Sequence, residues 1–271
     1  MNYGAAIHSI SVPDQFGTEE CVVLAYQDLS SYIENSRHLN ATIGPTAGRI
    51  KNAAFSIGTR THHIDKNVND SYNLHGGKDA LTYTMFDYEV VEEQQQSQIV
   101  FKTRKKTGEQ LYPGNQQYTI IYTVRKASIT IEFVAETDYP TLINLTNHAY
   151  FNLSGNLQSN ILHHQMKINA STALELDDEN VPFQVVNIEN TFLDYRTLRT
   201  IKGPDFTGVD DPYMLDTVSL EIPQATLVDP VSKRRLDVYT TYPSIVCYTD
   251  NFPMTEELAY DATNERHMGV C

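Results

Sequence analysis

Four short stretches of this chain gather side chains suited to proton transfer and to hydrogen bonding with a hydroxylated ligand. The richest runs from Thr141 to Leu153, TLINLTNHAYFNL. Read as a strand, it puts Ile143, Leu145, Ala149, Phe151 and Leu153 on one face. Leu142, Asn144, Thr146, His148, Tyr150 and Asn152 fall on the other. A polar row centred on a histidine suits the wall of a cleft for a polyhydroxylated molecule, with His148 and Tyr150 as candidate contacts. The solvated outer face of a sheet would carry the same pattern. Histidine can give or take a proton near neutral pH, because its unperturbed pKa is about 6.5.

The second stretch is Asn73-Leu74-His75-Gly76-Gly77, where paired glycines after a histidine permit a sharp turn and the close approach of a ligand. In the third, Gly44-Pro45-Thr46-Ala47-Gly48-Arg49-Ile50, small residues lead to one arginine able to fork two hydrogen bonds onto neighbouring oxygens. The fourth, Gly208-Val209-Asp210-Asp211-Pro212-Tyr213, offers carboxylates that can accept from sugar hydroxyls. Each has an everyday alternative: a glycine turn, a surface arginine, or Asp-Pro turn chemistry.

Other chemistries lack their residues. No HExxH or Cys/His ligand spacing occurs, and His62-His63 and His163-His164 are adjacent pairs that would face opposite ways on strands, so no metal is expected. Asp177-Asp178-Glu179 lacks the spacing of a calcium loop and reads as a solvated turn. GxGxxG, a Walker loop and a GxSxG elbow are absent, and no cofactor is expected. Lys+Arg total 20 against 34 Asp+Glu, a net charge of −14, which argues against nucleic acid and anionic membranes as partners. No apolar run approaches the ~18 residues of a membrane helix. The start, MNYGAAI, lacks the basic and apolar regions of a signal peptide. Cys21, Cys247 and Cys271 are odd in number and far apart, which fits reduced thiols and a cytoplasmic protein.

The elements that must position these residues have a period of two. Tyr118, Ile120, Tyr122 and Val124 alternate with polar neighbours, Ile121 excepted. Arg125-Lys126-Ala127-Ser128 reads as a turn, and Ile129, Ile131, Phe133 and Ala135 resume the alternation, predicting a hairpin over 118–135. Phe86/Tyr88/Val90 and Ile99/Phe101 alternate likewise, with further strand-like pieces at 20–26, 53–58, 141–151, 164–169, 236–242 and 244–249. Residues 28–35 suit a turn or two of helix. Short strands punctuated by Gly, Pro, Asn and Asp predict an all-β antiparallel sandwich, and no linker or repeat divides residues 1–271.

In these stretches the chain resembles the aldose 1-epimerase (galactose mutarotase) family. The blocks are GPTAGRIKNAAF, NLHGG, INLTNHAYFNLSG, ILHHQMKINA leading into DDENVP, GVDDPYML and YTDNF, spread over roughly 5–271. The resemblance implies a large antiparallel β-sandwich with an open sugar-binding cleft and a cofactor-free interconversion of the anomers of a free hexose, galactose or glucose. It makes His148 the general acid and puts Arg49, His75 and Asp210 at substrate-binding positions. A base takes the anomeric proton, the acid protonates the ring oxygen, and the opened sugar recloses on its other face. The family's base is a glutamate in a Gly-x-Cys-Leu-Glu segment. Here Gly269-Val270-Cys271 ends the sequence, so that glutamate is expected two residues later, with the last strands beyond it. Residues 1–271 alone are accordingly expected to bind hexoses weakly and turn them over little. Gly48 and Val246 stand where the family often has Asn and Gln, and Asp250 where it has Gly. The alternatives are a non-catalytic sugar-binding or regulatory protein, and a glycosidase, which needs two positioned carboxylates.

Overall fold

The computed structural model describes residues 1–108, 111–157, 159–204 and 206–271. Contacts divide the chain into two compact units, Met1–Ile7 with Tyr32–His148, and His8–Ser31 with Ala149–Cys271. Every ladder between strands in both is antiparallel.

The first unit is organised by a four-stranded sheet in the order Ser128–Thr137, Gln116–Arg125, Ser97–Lys105, Asp87–Glu92. The expected hairpin forms one end of it: Arg125 pairs with Ser128, leaving Lys126 and Ala127 as the turn. The inward-alternating residues Tyr118, Ile120 and Tyr122 are buried with Phe86, Phe101, Leu81 and Leu145. Tyr88 and Val90 are exposed although their alternation suggested a buried face, because they lie on the edge strand, where the core ends at Phe86. Three two-stranded ladders complete the unit, among them Arg49–Ile50 with Asn73–Leu74 and Thr42–Ile43 with Thr146–Asn147.

In the second unit two four-stranded sheets enclose one core. One runs Arg199–Thr200, Gln165–Ile168, Ala225–Val228, Arg235–Val238, and the other Pro182–Asn187, Thr172–Leu176, Asp210–Met214, Ser244–Tyr248. Met166, Ile168 and Leu227 of the first meet Ala173, Tyr213 and Cys247 of the second in one apolar cluster. This is a sandwich built from the alternation the sequence carries. The only α-helix among the described residues is the single turn Ser31–Glu34. None is long and apolar enough to cross a membrane.

One expected strand is much shorter than its pattern. Of 141–153 only Thr146–Asn147 forms a ladder. The backbone changes partner as it goes: Asn144 and His148 bond to residues of the 40–47 segment, Asn152 to Val22. The polar row is likewise divided. His148 and Thr146 are half-exposed, while Asn152 is buried and its amide donates to Ser159 O and Met268 O at 2.7 and 2.8 Å. Asn152 therefore ties loops together.

Candidate active site

Three of the residues singled out in the sequence, Arg49, His75 and His148, lie together in the first unit. His75 is placed by the turn after Asn73–Leu74. It and the next two residues all take left-handed backbone, with φ of 55°, 92° and 77°. A Cβ on Gly76 would overlap the Gly44 carbonyl oxygen, and one on Gly77 the Asp65 carboxylate. The glycine pair is thus required by close approach, but what approaches is the chain's own backbone and Asp65. Asp65 in turn accepts from the Lys78 N–H at 2.9 Å and from Asn73 Nδ2 at 3.1 Å.

Gly48 holds His75 at two points. The His75 N–H donates to Gly48 O at 3.0 Å, and the Gly48 N–H donates to His75 Nδ1 at 3.1 Å. With its Nδ1 lone pair engaged, a neutral His75 carries its proton on Nε2 and acts there as a donor. The family's frequent asparagine at position 48 is not needed for this. Gly48 has φ 77° and open space where a Cβ would sit.

His148 extends the short Thr42–Ile43 ladder, donating its N–H to Ala41 O at 3.0 Å and accepting from the Asn40 N–H at 2.9 Å. Its ring stands perpendicular to that of His75, centroids 5.4 Å apart. The Arg49 guanidinium lies 5.7 Å from the centre of the Tyr72 ring. Arg49 Nε is buried without a hydrogen-bond partner, a deficit of about 1–3 kcal/mol that a ligand oxygen would relieve.

A third imidazole, His38, completes the cluster, 4.9 Å from the His75 ring and 6.2 Å from that of His148. No sequence motif marks it. Burial, with help from His38, pushes His148 down to about 3, partly opposed by a hydrogen bond to its own backbone. Burial, then the charges of His38, His148 and Arg49, hold His75 well below the imidazole range. Both rings are therefore neutral at pH 7. The desolvated pocket disfavours the cation.

Asp210 and Tyr150 belong to the second unit. Asp210 opens the Asp210–Met214 strand and lines a cavity of about 640 Å³ with Asp211, Phe192, Asn251, Phe252 and Arg266. Gly208 precedes it with φ 114°, and a Cβ there would strike the Asn251 side chain. Asn251 Nδ2 donates to Val209 O at 3.0 Å, so the YTDNF block anchors the GVDDPY block. Asp250, at the family's glycine position, takes the left-handed φ of 47° that glycine favours. Val246 is exposed, opposite Pro212. Burial raises the Asp211 carboxyl. Tyr150 is 2% exposed, its ring edge-on to Tyr248 at 6.0 Å.

His163 and His164 do not face opposite ways as a strand would place them. They end the Ile161–His163 turn with rings 4.7 Å apart, and with Asp229 they form a cluster of metal-ligand type. Its chemistry does not suit a cation. His164 Nε2 accepts the Leu153 N–H at 3.0 Å, so the buried Nδ1 carries the proton and the ring has no lone pair to offer. Asp229 already accepts from His163 and from the Val231 and Ser232 N–H groups.

Comparison with known proteins bears on the family and the fold. The family model described as aldose 1-epimerase matches residues 1–271. The chain is 30% identical to the galactose mutarotase of Mus musculus, over all of this chain and 80% of that protein. It is 28% identical to a maltose epimerase of Levilactobacillus brevis, over 93% of this chain and 75% of that one. Among solved structures, the GalM/aldose epimerase homologue from C. elegans superposes with a TM-score of 0.87 at 24% identity, covering 99% of this chain and 82% of that chain. The galactose 1-epimerase of Lactobacillus acidophilus gives 0.85 at 24% identity, covering 99% and 79%. With the antiparallel fold and the clustered motif residues, these matches identify the chain as a member of the aldose 1-epimerase family.

Proposed function

We propose that the protein interconverts the α and β anomers of a free hexose, with galactose and glucose the leading substrates. His148 is the general acid, and Arg49, His75, Tyr150 and Asp210 bind the sugar's hydroxyls. The observation that carries this reading is the perpendicular pair His75 and His148, 5.4 Å apart, beside a buried Arg49 N–H without a partner. Such a group has donors and lone pairs for several hydroxyls and a ring able to pass a proton.

The chemistry needs no cofactor. His75 donates from Nε2 to a hydroxyl oxygen, and Arg49 Nε–H to another. An imidazole delivers a proton to the ring oxygen readily only from its cationic form, which the unliganded pocket disfavours. A carboxylate base close to the bound sugar stabilises that cation while it takes the anomeric proton. Both transfers then belong to one step: base to O1–H, His148 to the ring oxygen. The C1–ring-oxygen bond breaks, the aldehyde rotates, and reversal closes the other anomer.

Polarimetry of freshly dissolved α-galactose and α-glucose with the protein tests the reading. Decay to the anomeric equilibrium faster than in buffer is expected. Saturable sugar binding without acceleration would favour the sugar-binding alternative. The similarity to a maltose epimerase makes α-maltose a useful third substrate.

A further inference from the structure

His38 lies outside every motif considered above. It is 8% exposed, and its ring packs against those of His75 and His148, which are partly exposed. Its Nδ1 is 3.1 Å from Thr82 Oγ1. Thr82 donates its own hydroxyl proton to Thr42 O at 3.3 Å. Oγ1 therefore accepts from His38, whose Nδ1 carries the proton while Nε2 keeps a lone pair. The ring meets His75 edge-on at 73° and 4.9 Å.

The segment holding this ring is elaborately fixed. Asn35, His38 and Asn40 all take positive φ, 32°, 53° and 58°. Such non-glycine conformations persist where surrounding contacts over-determine them. Here Asn35 Oδ1 accepts the Leu39 N–H at 2.6 Å and its Nδ2 donates to Leu39 O at 3.2 Å. Asn147 Nδ2 donates to Asn40 O at 3.0 Å, tying the segment to the strand that leads into His148.

We propose that His38 is a positioning residue: it braces the rings of His75 and His148, so that they meet the sugar in one orientation and one tautomer, without touching the sugar itself. The proposal rests on the mutarotase reading of His148. An edge-on ring against His75 blocks the half-turn about χ2 that would break its bond from Gly48. The titratable groups around His38 are His75, His148 and Tyr83, whose ring is 5.8 Å away, with Arg49 beyond His75. No carboxylate hydrogen-bonds to His38 among the described residues. A proton on one imidazole is thus repelled from the next, in keeping with a His38 pKa pushed down to about 4 by burial.

The test pairs imidazole ¹⁵N NMR with polarimetry, on wild type, His38→Phe, Thr82→Val and Thr82→Ser. In wild type His38 should report as the Nδ1–H tautomer and His75 as Nε2–H. His38→Phe should lower kcat about 10- to 100-fold, the scale of a displacement near 1 Å, raise KM as the His75 Nε2 donor is partly lost, and turn the His75 and His148 signals into tautomer mixtures. Thr82→Val should repeat this in milder form, and Thr82→Ser should restore wild-type values. If His38→Phe does not fold, Thr82→Val with its serine control decides. An Nε2–H tautomer at His38, or unaltered tautomers and kcat in folded variants, would overturn the proposal. Absence of acceleration by wild type would instead count against the mutarotase reading, leaving the NMR comparison to judge His38.

Discussion

Acid should loosen the second unit through His164, and the size of the effect can be worked out. The ring is fully buried, and its pKa is pushed down to about 4, first by burial, against an opposing pull from Asp229. In the unfolded chain it titrates near 6.5. The unfolded state therefore binds more protons between these values, and stability falls as pH drops from about 6.5 towards 4. The structural reason is local: protonating Nε2 forfeits its role as acceptor for the Leu153 N–H. At pH 5 the linkage amounts to about 2 kcal/mol relative to pH 8. With a urea slope of about 2–3 kcal/mol/M, the midpoint should fall by about 0.7–1 M on this account alone. His164→Gln can accept the same N–H and does not titrate. Its midpoint should depend on pH less steeply than that of wild type by this amount. Parallel pH profiles for the two proteins would refute the reasoning.

His148→Asn should slow mutarotation about 10²- to 10⁴-fold, whereas Arg49→Ala should chiefly raise KM; stopped polarimetry over a range of sugar concentrations separates the two, and equal modest effects would deny His148 the proton transfer. Gly76→Ala forces a side chain onto the Gly44 carbonyl at a φ of 92°. It should lower the melting temperature and abolish sugar binding by calorimetry, since His75 cannot stay where it is. Gly48→Asn should fold normally, because its Cβ meets open space and asparagine tolerates left-handed backbone; the ratio of galactose to glucose turnover is the quantity to watch.

The hairpin at 116–137 was legible because each side chain's destination depends on one sheet face, and alternation encodes that face directly. The same holds for Gln165–Ile168 and Ser244–Tyr248. The Thr141–Leu153 pattern misled on length because alternation says nothing about which partner a strand has, and this one passes from the 40–47 segment to Val22. The need for Gly76 and Gly77 was readable, but the atoms that crowd them come from Gly44 and Asp65, distant in sequence. His38 left no trace in the local sequence. Its role depends on Thr82, 44 positions away, and on Asn147 gripping its neighbour Asn40 across 107. His148 was legible as a residue and not as an acid of particular strength, because desolvation is a property of the assembled pocket.

The two bonds between Gly48 and His75 both run through the main chain of Gly48, while the space beside its α-carbon is empty. Support and selectivity are thereby uncoupled at one position. A side chain introduced at 48 alters the surroundings of the histidine without unseating it, so mutational drift can explore new sugars there while the imidazole stays in register. Directed evolution of substrate range in this protein has its most permissive starting point at residue 48, and its least permissive one residue past the histidine, at Gly76.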